Sequence, residues 1–102
     1  MTTSPLTHPL RLFINGEWVS PSSEARIEVI NPATEEVYLT VAEAREPDMK
    51  KAIAAARAAF DRGPWPRLSH AERARYLQRI AESMKGRSEA FAAIWSSETG
   101  VL

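Results

Sequence analysis

The chain has 102 residues, which is enough for one small domain but not for two. It contains no cysteine, so neither a disulfide nor a catalytic or metal-binding thiolate can come from it. Thirteen basic and thirteen acidic residues give a formal net charge of zero. The overall charge therefore predicts neither a nucleic-acid partner nor a membrane partner.

The first nine residues read MTTSPLTHP, with no basic start and no apolar run, which is not typical of a signal peptide. Two prolines among small polar residues predict a loose leader over residues 1–9. No segment approaches the roughly 20 apolar residues needed to span a bilayer. We therefore expect a cytoplasmic chain whose folded part covers residues 10–102.

Strand-like patterns fill the first half of the chain. The sequence LRLFINGEWV places two apolar arms around Asn15-Gly16, a pair that tolerates the positive φ angles of a type I′ turn. This pattern predicts a hairpin between residues 10–14 and 17–19. A second pair of strands is predicted over residues 26–30 and 37–44, separated by an Asn-Pro turn.

The second half of the chain has the apolar spacing of helices. The first predicted helix covers residues 47–62, since Pro47 suits a first helical turn and Asp48 complements the positive end of the helix dipole. The second covers residues 69–85 and opens with Ser-His-Ala-Glu, which matches a capping box. Both helices carry an apolar stripe on one face.

A third helix is expected to begin at a Ser88 cap and to end at Gly100. The fold class is thus α+β, an arrangement of two N-terminal β-hairpins followed by three helices. The apolar stripes of the three helices are Met49, Ala52, Ile53, Ala56, Ala59 and Phe60; then Leu77, Ile80, Ala81 and Met84; then Phe91, Ile94 and Trp95.

Charge is distributed unevenly, because residues 45–87 carry eleven basic and five acidic residues. The arginines of this segment alternate with apolar positions, and no aromatic or glycine-rich nucleic-acid motif accompanies them. We interpret the segment as a solvated helix surface, and a nucleic-acid face is the weaker interpretation.

Residues that carry chemistry are sparse and scattered. The sequence has no phosphate-binding glycine loop, and His8 and His70 have no ligand partner at metal spacing. Glu35-Glu36 is an adjacent carboxylate pair in a predicted turn, where both side chains are expected to meet water. The residues alone therefore predict an α+β piece without an active site.

Five segments nevertheless occur in an order typical of one family. They are FINGEWV at residues 13–19, VINPATEEV at 29–37, TVAEA at 40–44, AIAAARAAFDRGPWPRLSHAERARYLQRIAE at 52–82 and SSETGVL at 96–102. In this order the chain resembles the N-terminal portion of the NAD(P)-dependent aldehyde dehydrogenase superfamily. The Asn-Pro-Ala-Thr turn, the Phe-Asp-Arg-Gly-Pro-Trp linker and the arginine-rich helix carry the resemblance jointly.

The resemblance implies a parent fold of the α/β class, aldehyde dehydrogenase-like, with a Rossmann-type cofactor domain, a catalytic domain and an oligomerisation arm. Residues 10–102 would form an incomplete N-terminal part of the cofactor domain. The helices would pack on a sheet that this chain does not contain. We therefore expect exposed apolar patches in the isolated chain.

The family oxidises aldehydes to carboxylic acids with NAD or NADP, through a cysteine thiolate and a glutamate that activates water. The resemblance thus implies an aldehyde substrate and a homo-oligomeric parent enzyme. It assigns no catalytic or cofactor-binding residue to this chain, which we expect to be inactive and cofactor-free when alone. The alternative is a non-enzymatic docking module that associates with another aldehyde dehydrogenase subunit.

Many members of the family hold a structural monovalent cation near this region. The resemblance places its ligands at the backbone carbonyls of Val29 and Ile30 and at the carboxylate of Glu98, which precedes Thr-Gly. Hard cations favour such oxygen ligands. A further ligand would lie downstream, so the site implied here is incomplete.

Overall fold

A computed structural model describes residues 4–101 of the chain. Two antiparallel hairpins come first, and three helices follow them, as predicted. The elements are β1 (Leu12–Ile14), β2 (Glu17–Val19), β3 (Arg26–Asn31), β4 (Glu36–Ala42), α1 (Glu46–Arg62), a single 3₁₀ turn (Trp65–Arg67), α2 (His70–Lys85) and α3 (Ser88–Thr99).

The first hairpin is closed by the Asn-Gly turn that the sequence predicted. Asn15 has a φ of 55° and Gly16 a φ of 76°, as a type I′ turn requires. The turn sets Phe13 opposite Trp18, and their ring centroids lie 5.1 Å apart. β1 starts at Leu12 rather than at residue 10, because the amide of Arg11 instead donates to the carbonyl of His8 in a preceding turn.

The second hairpin contains an irregularity that bends it. Val29 pairs with Leu39 while Ile30 pairs with Val37, so Tyr38 is left as an extra residue on β4. β4 spans Glu36–Ala42 rather than residues 37–44. The Glu43 amide still donates to the carbonyl of Ala25, just before β3, at 3.0 Å, and α1 then begins at Glu46.

The end of the N-terminal leader lies against these strands. The Pro9 carbonyl accepts the Ala42 amide at 2.9 Å, and the His8 ring stacks on Trp18 with centroids 4.6 Å apart. Residues 1–3 of the predicted loose leader lie outside the described part of the chain. The leader therefore has defined contacts at its C-terminal end, on both hairpins.

One buried carboxylate joins the strand half of the chain to the helix half. Asp48 is 3% exposed and accepts hydrogen bonds from the Ser22 amide at 2.9 Å and from the Ser22 hydroxyl at 2.7 Å. It also accepts the Arg45 amide at 2.9 Å, which caps the first turn of α1. Asp48 thus holds the loop after β2 against the start of α1, in addition to its predicted role at the helix dipole.

The other helix ends follow local sequence chemistry with one exception. At α2, Ser69 Oγ accepts the Glu72 amide and Glu72 Oε2 accepts the Ser69 amide, each at 3.2 Å, which confirms the predicted capping box. At α3 the predicted Ser88 cap is wrong, because Ser88 already lies inside the helix and Arg87 precedes it without a side-chain cap.

The chain encloses almost no apolar core. Within residues 4–101, Leu39 is the only buried apolar side chain, with 7% exposure. The surface area is 8454 Å², against about 5,800 Å² expected for a folded protein of this mass. The radius of gyration is 17.0 Å, where a compact domain of this length would have about 13 Å. The exposed apolar patches expected from the sequence are therefore present.

Replacing Asp48 with Asn should release the loop after β2 from α1. Hydrogen bonds from the Arg45 amide and the Ser22 hydroxyl favour the charged carboxylate and lower the pKa of Asp48 below its usual value. An Asn side chain offers one acceptor oxygen in place of two, so hydrogen exchange at the Ser22 amide should accelerate roughly tenfold. Asp61→Asn, which removes an exposed ion pair with Arg57, is the control and should leave that amide unchanged.

The same lowered pKa fixes the pH dependence of this junction. The stabilisation should be complete above about pH 4, the unfolded value of a carboxyl group, and should be lost as the pH falls through the lowered pKa of Asp48. Protection of the Ser22 amide that persists unchanged under strongly acidic conditions would contradict this role.

Candidate functional site

The three residues expected to bind a cation lie on elements that contact each other. Val29 and Ile30 are consecutive residues of β3, on either side of the register shift, and Glu98 is the penultimate residue of α3. Gly100, just beyond α3, approaches the second hairpin so closely that an added Cβ would lie 2.9 Å from Cγ of Pro32. The end of α3 therefore rests on the turn that follows β3.

This corner offers oxygen donors of the kind a hard monovalent cation prefers. Among the described residues β3 pairs only with β4, so alternate carbonyls of β3 point away from the ladder. The Glu98 side chain is exposed and forms no ion pair within residues 4–101. The described part of the chain contains no cluster of three or more His, Asp or Glu side chains that could hold a metal. Any site here depends on main-chain oxygens.

The two histidines and the Ser22 hydroxyl, the other groups that could carry chemistry, do not form a common site. The two histidines have different neighbours: His8 stacks on Trp18, and His70 Nδ1 lies 2.9 Å from an Nη of Arg73. The Ser22 hydroxyl donates to the buried Asp48, which serves the junction between loop and helix. No histidine lies in this pair, so the arrangement lacks the base that activates a serine nucleophile.

Sequence reasoning missed the bond between Ser22 and Asp48. The two residues are 26 positions apart, and no local pattern connects a polar loop to a helix start at that distance. The only available signals were a carboxylate in the first turn and an Arg in place of the usual polar cap. Because Arg45 provides no side-chain cap, its amide at the start of α1 donates a hydrogen bond to the carboxylate of Asp48.

Much of the exposed surface of the three helices is apolar. The side of α1 that carries Ala52, Ala55 and Ala59 lies beside the first hairpin. The larger residues of the predicted stripes remain in solvent, with between 46% and 62% of their surface exposed: Met49, Ile53, Phe60, Leu77, Ile80, Met84, Phe91 and Trp95. None of the helices within residues 4–101 combines the length and apolar character needed to cross a bilayer. The three helices thus leave much of their apolar faces in solvent.

Comparison with known proteins identifies the family of this chain. The model of the aldehyde dehydrogenase family matches residues 18–102. The chain therefore belongs to the aldehyde dehydrogenase family, and the resemblance found in the sequence is confirmed.

Individual relatives agree over nearly the whole chain. Aldehyde dehydrogenase 1 of Tanacetum cinerariifolium is 48% identical over 90 residues, which cover 88% of this chain and 18% of the relative. Betaine aldehyde dehydrogenase of Bacillus subtilis is 45% identical over 87% of this chain and 18% of its own length. The chain thus spans about a fifth of the length of these relatives.

Solved structures share the fold. A crystal structure of Mycobacterium tuberculosis aldehyde dehydrogenase, complexed with NAD⁺, superimposes with a TM-score of 0.87 at 41% identity. The match covers 92% of this chain and 20% of that one. The hairpins and helices described here therefore have the arrangement found in the N-terminal portion of aldehyde dehydrogenases.

Substituting Gly100 with Ala should detach the end of α3 from the second hairpin. Gly100 has a φ of 76°, which costs a residue with a side chain about 1–2 kcal/mol, and its Cβ would collide with Pro32. Hydrogen exchange in α3 should therefore accelerate roughly tenfold. Gly86→Ala is the matched control, because Gly86 has a φ of −66° and an added Cβ there would make only ordinary van der Waals contacts, and it should leave exchange in α3 unchanged.

Proposed function

We propose that residues 10–102 form the N-terminal part of the cofactor-binding domain of an NAD(P)-dependent aldehyde dehydrogenase. Residues 1–9 form a leader to it. The observation that carries this proposal is the set of exposed apolar faces on α1, α2 and α3, in a chain that spans a fifth of its relatives. These faces are the surfaces that the remaining four-fifths of such a subunit would cover.

The parent enzyme would oxidise an aldehyde to a carboxylic acid, with water supplying the second oxygen, a hydride transferred to NAD(P)⁺ and a proton released. Several related structures are described as complexes with NAD⁺, which supports this cofactor. The thiolate that attacks the aldehyde must come from other polypeptide, because these 102 residues contain no cysteine. The parent is further proposed to be a cytoplasmic homo-oligomer.

In this account the chain contributes structure rather than reacting groups. Asp48 holds the loop after the first hairpin on α1, the Asn-Gly turn closes that hairpin, and small side chains of α1 lie beside it. The larger apolar residues of α1, α2 and α3 then form the surface on which the rest of the domain packs. Alone, the chain is expected to bind no cofactor and to have no activity.

A complementation assay tests the proposal. The chain would be mixed with a polypeptide that starts after the matched segment of the Bacillus subtilis betaine aldehyde dehydrogenase, and NADH formation from betaine aldehyde and NAD⁺ would be followed. We expect no activity from either polypeptide alone and activity from the mixture. Leu77→Asp with Ile80→Asp, on the apolar face of α2, should abolish it, whereas Gln78→Asp on the same helix should not.

The same assay separates the enzyme proposal from the alternative. Stable association without NADH formation would favour a non-enzymatic docking module that binds another aldehyde dehydrogenase subunit. Absence of any association at micromolar concentrations would contradict both.

We further propose that the carbonyls of Val29 and Ile30 and the carboxylate of Glu98 contribute to a structural monovalent cation site in the complete subunit. The close packing of Gly100 on Pro32 supports this, since it brings the end of α3 to the end of β3. The chain by itself lacks the further ligand, so binding is expected in the complemented protein.

Thermal unfolding of the complemented protein tests the cation site. Replacing choline chloride with potassium chloride should raise the melting temperature by roughly a few degrees, because a ligand that binds only the folded state stabilises it. Glu98→Gln should remove this increment, and Glu89→Gln, on the first turn of the same helix, should retain it. Equal increments in both variants would contradict a role for Glu98.

A further inference from the structure

The charges of the chain are separated into two parts that could neutralise each other. Residues 45–87 carry eleven basic and five acidic residues, a net charge of +6. The rest of the chain carries two basic and eight acidic residues, a net charge of −6. Within residues 4–101 the only ion pair between the parts joins sequence neighbours Glu43 and Arg45. The opposite charges of the two parts therefore scarcely pair with each other inside the described part of one chain.

The basic part contains a groove along α2. Its volume is about 380 Å³, and Arg75 and Arg79, one helical turn apart, line it beside Tyr76. Neither arginine has an ion-pair partner within the described residues. The one carboxylate in the groove, Glu72, is engaged by the amide of Ser69 in the helix cap. The groove thus presents two guanidinium groups without an acceptor.

Aromatic contacts order one wall of this groove. Trp65 and Tyr76 meet edge to face with ring centroids 5.8 Å apart, and the guanidinium carbon of Arg79 lies 5.9 Å from the centroid of Tyr76. A guanidinium held over an aromatic ring loses less freedom when it binds a carboxylate, which it recognises with two parallel hydrogen bonds.

The acidic part includes a turn that carries two carboxylates. Glu35 and Glu36 lie at the tip of the second hairpin, both exposed and without an ion pair among the described residues. Asn31 fixes the turn, because its side chain accepts the Ala33 amide at 2.9 Å and its carbonyl accepts the Glu35 amide at 2.8 Å. The carboxylates are therefore presented on an ordered backbone.

We propose that the α2 groove binds the acidic hairpin tip of a second copy of this chain, through Arg75 and Arg79 on one copy and Glu35 and Glu36 on the other. The equal and opposite charges of the two parts favour a second copy as the occupant. Two copies can make the contact reciprocally, which closes a dimer. This inference does not rest on the proposed enzymatic function.

Sedimentation velocity of complementary charge reversals tests the interface. The unmodified chain should associate at low salt and dissociate in about 0.5 M sodium chloride, because salt screens the attraction between exposed charges. The variants Arg75→Glu/Arg79→Glu and Glu35→Lys/Glu36→Lys should each lose association at least roughly tenfold when alone. A mixture of the two variants should associate again, because one reciprocal contact then pairs a Glu groove with a Lys tip and the other pairs the unmodified Arg groove with the unmodified Glu tip.

The control is Arg11→Glu/Arg62→Glu, which changes the net charge as much as the groove variant but leaves the groove intact. It should associate like the unmodified chain. Association that strengthens with salt would instead identify the apolar helix faces as the contact and overturn the proposal. Failure of the mixture to associate would also overturn the proposal, as would an equal loss of association in the control variant. The proposal would be overturned as well if the unmodified chain bound polyglutamate but did not associate with itself.

Discussion

The hydrogen bonds to the carboxylate of Asp48 are the interactions on which the packing of the first hairpin against α1 depends. The carboxylate accepts three hydrogen bonds, two from Ser22 and one from Arg45, and is nearly inaccessible to water. These bonds fix the loop after the first hairpin to the start of α1. A polar anchor is needed here because the apolar contact between the hairpin and α1 involves mainly small alanine side chains, which bury little surface.

Beyond this junction, the apolar residues of the chain mostly face outward. Leu39 is buried, whereas the large residues of α2 and α3 remain in solvent. A chain that orders so many residues around so little buried apolar surface has little to offset the loss of conformational entropy. Packing on further polypeptide would supply that surface. This physical requirement, together with membership of the aldehyde dehydrogenase family, leads to the role proposed here.

The features predicted from the sequence are those that short-range chemistry determines. The Asn15-Gly16 turn and the Ser69 capping box each need only a few neighbouring residues, and both are present. The Ser88 cap was wrong, because the choice between adjacent starting positions is set by how α3 meets the preceding turn. The extra residue at Tyr38 depends on pairing across a hairpin.

The candidate site shows the same division. The prediction that Glu98 and β3 share a cation site came only from the family resemblance, since no periodicity links residues almost seventy positions apart. The structure places their elements in contact through Gly100 and Pro32, a packing detail that the sequence pattern could not reveal. The opposite net charges of the two parts, in contrast, can be counted in the sequence. The groove along α2 that presents Arg75 and Arg79 could not be predicted from it.

Hydrogen exchange of α2 and α3, measured with and without the complementing polypeptide, tests the central claim most directly. The claim is that these helices gain most of their stability when their apolar faces are covered. It predicts weak protection in the chain alone and protection increased by roughly a hundredfold or more in the complex, since local stability follows buried apolar contact. Helices that are already fully protected in the chain alone, and unchanged by the second polypeptide, would contradict it.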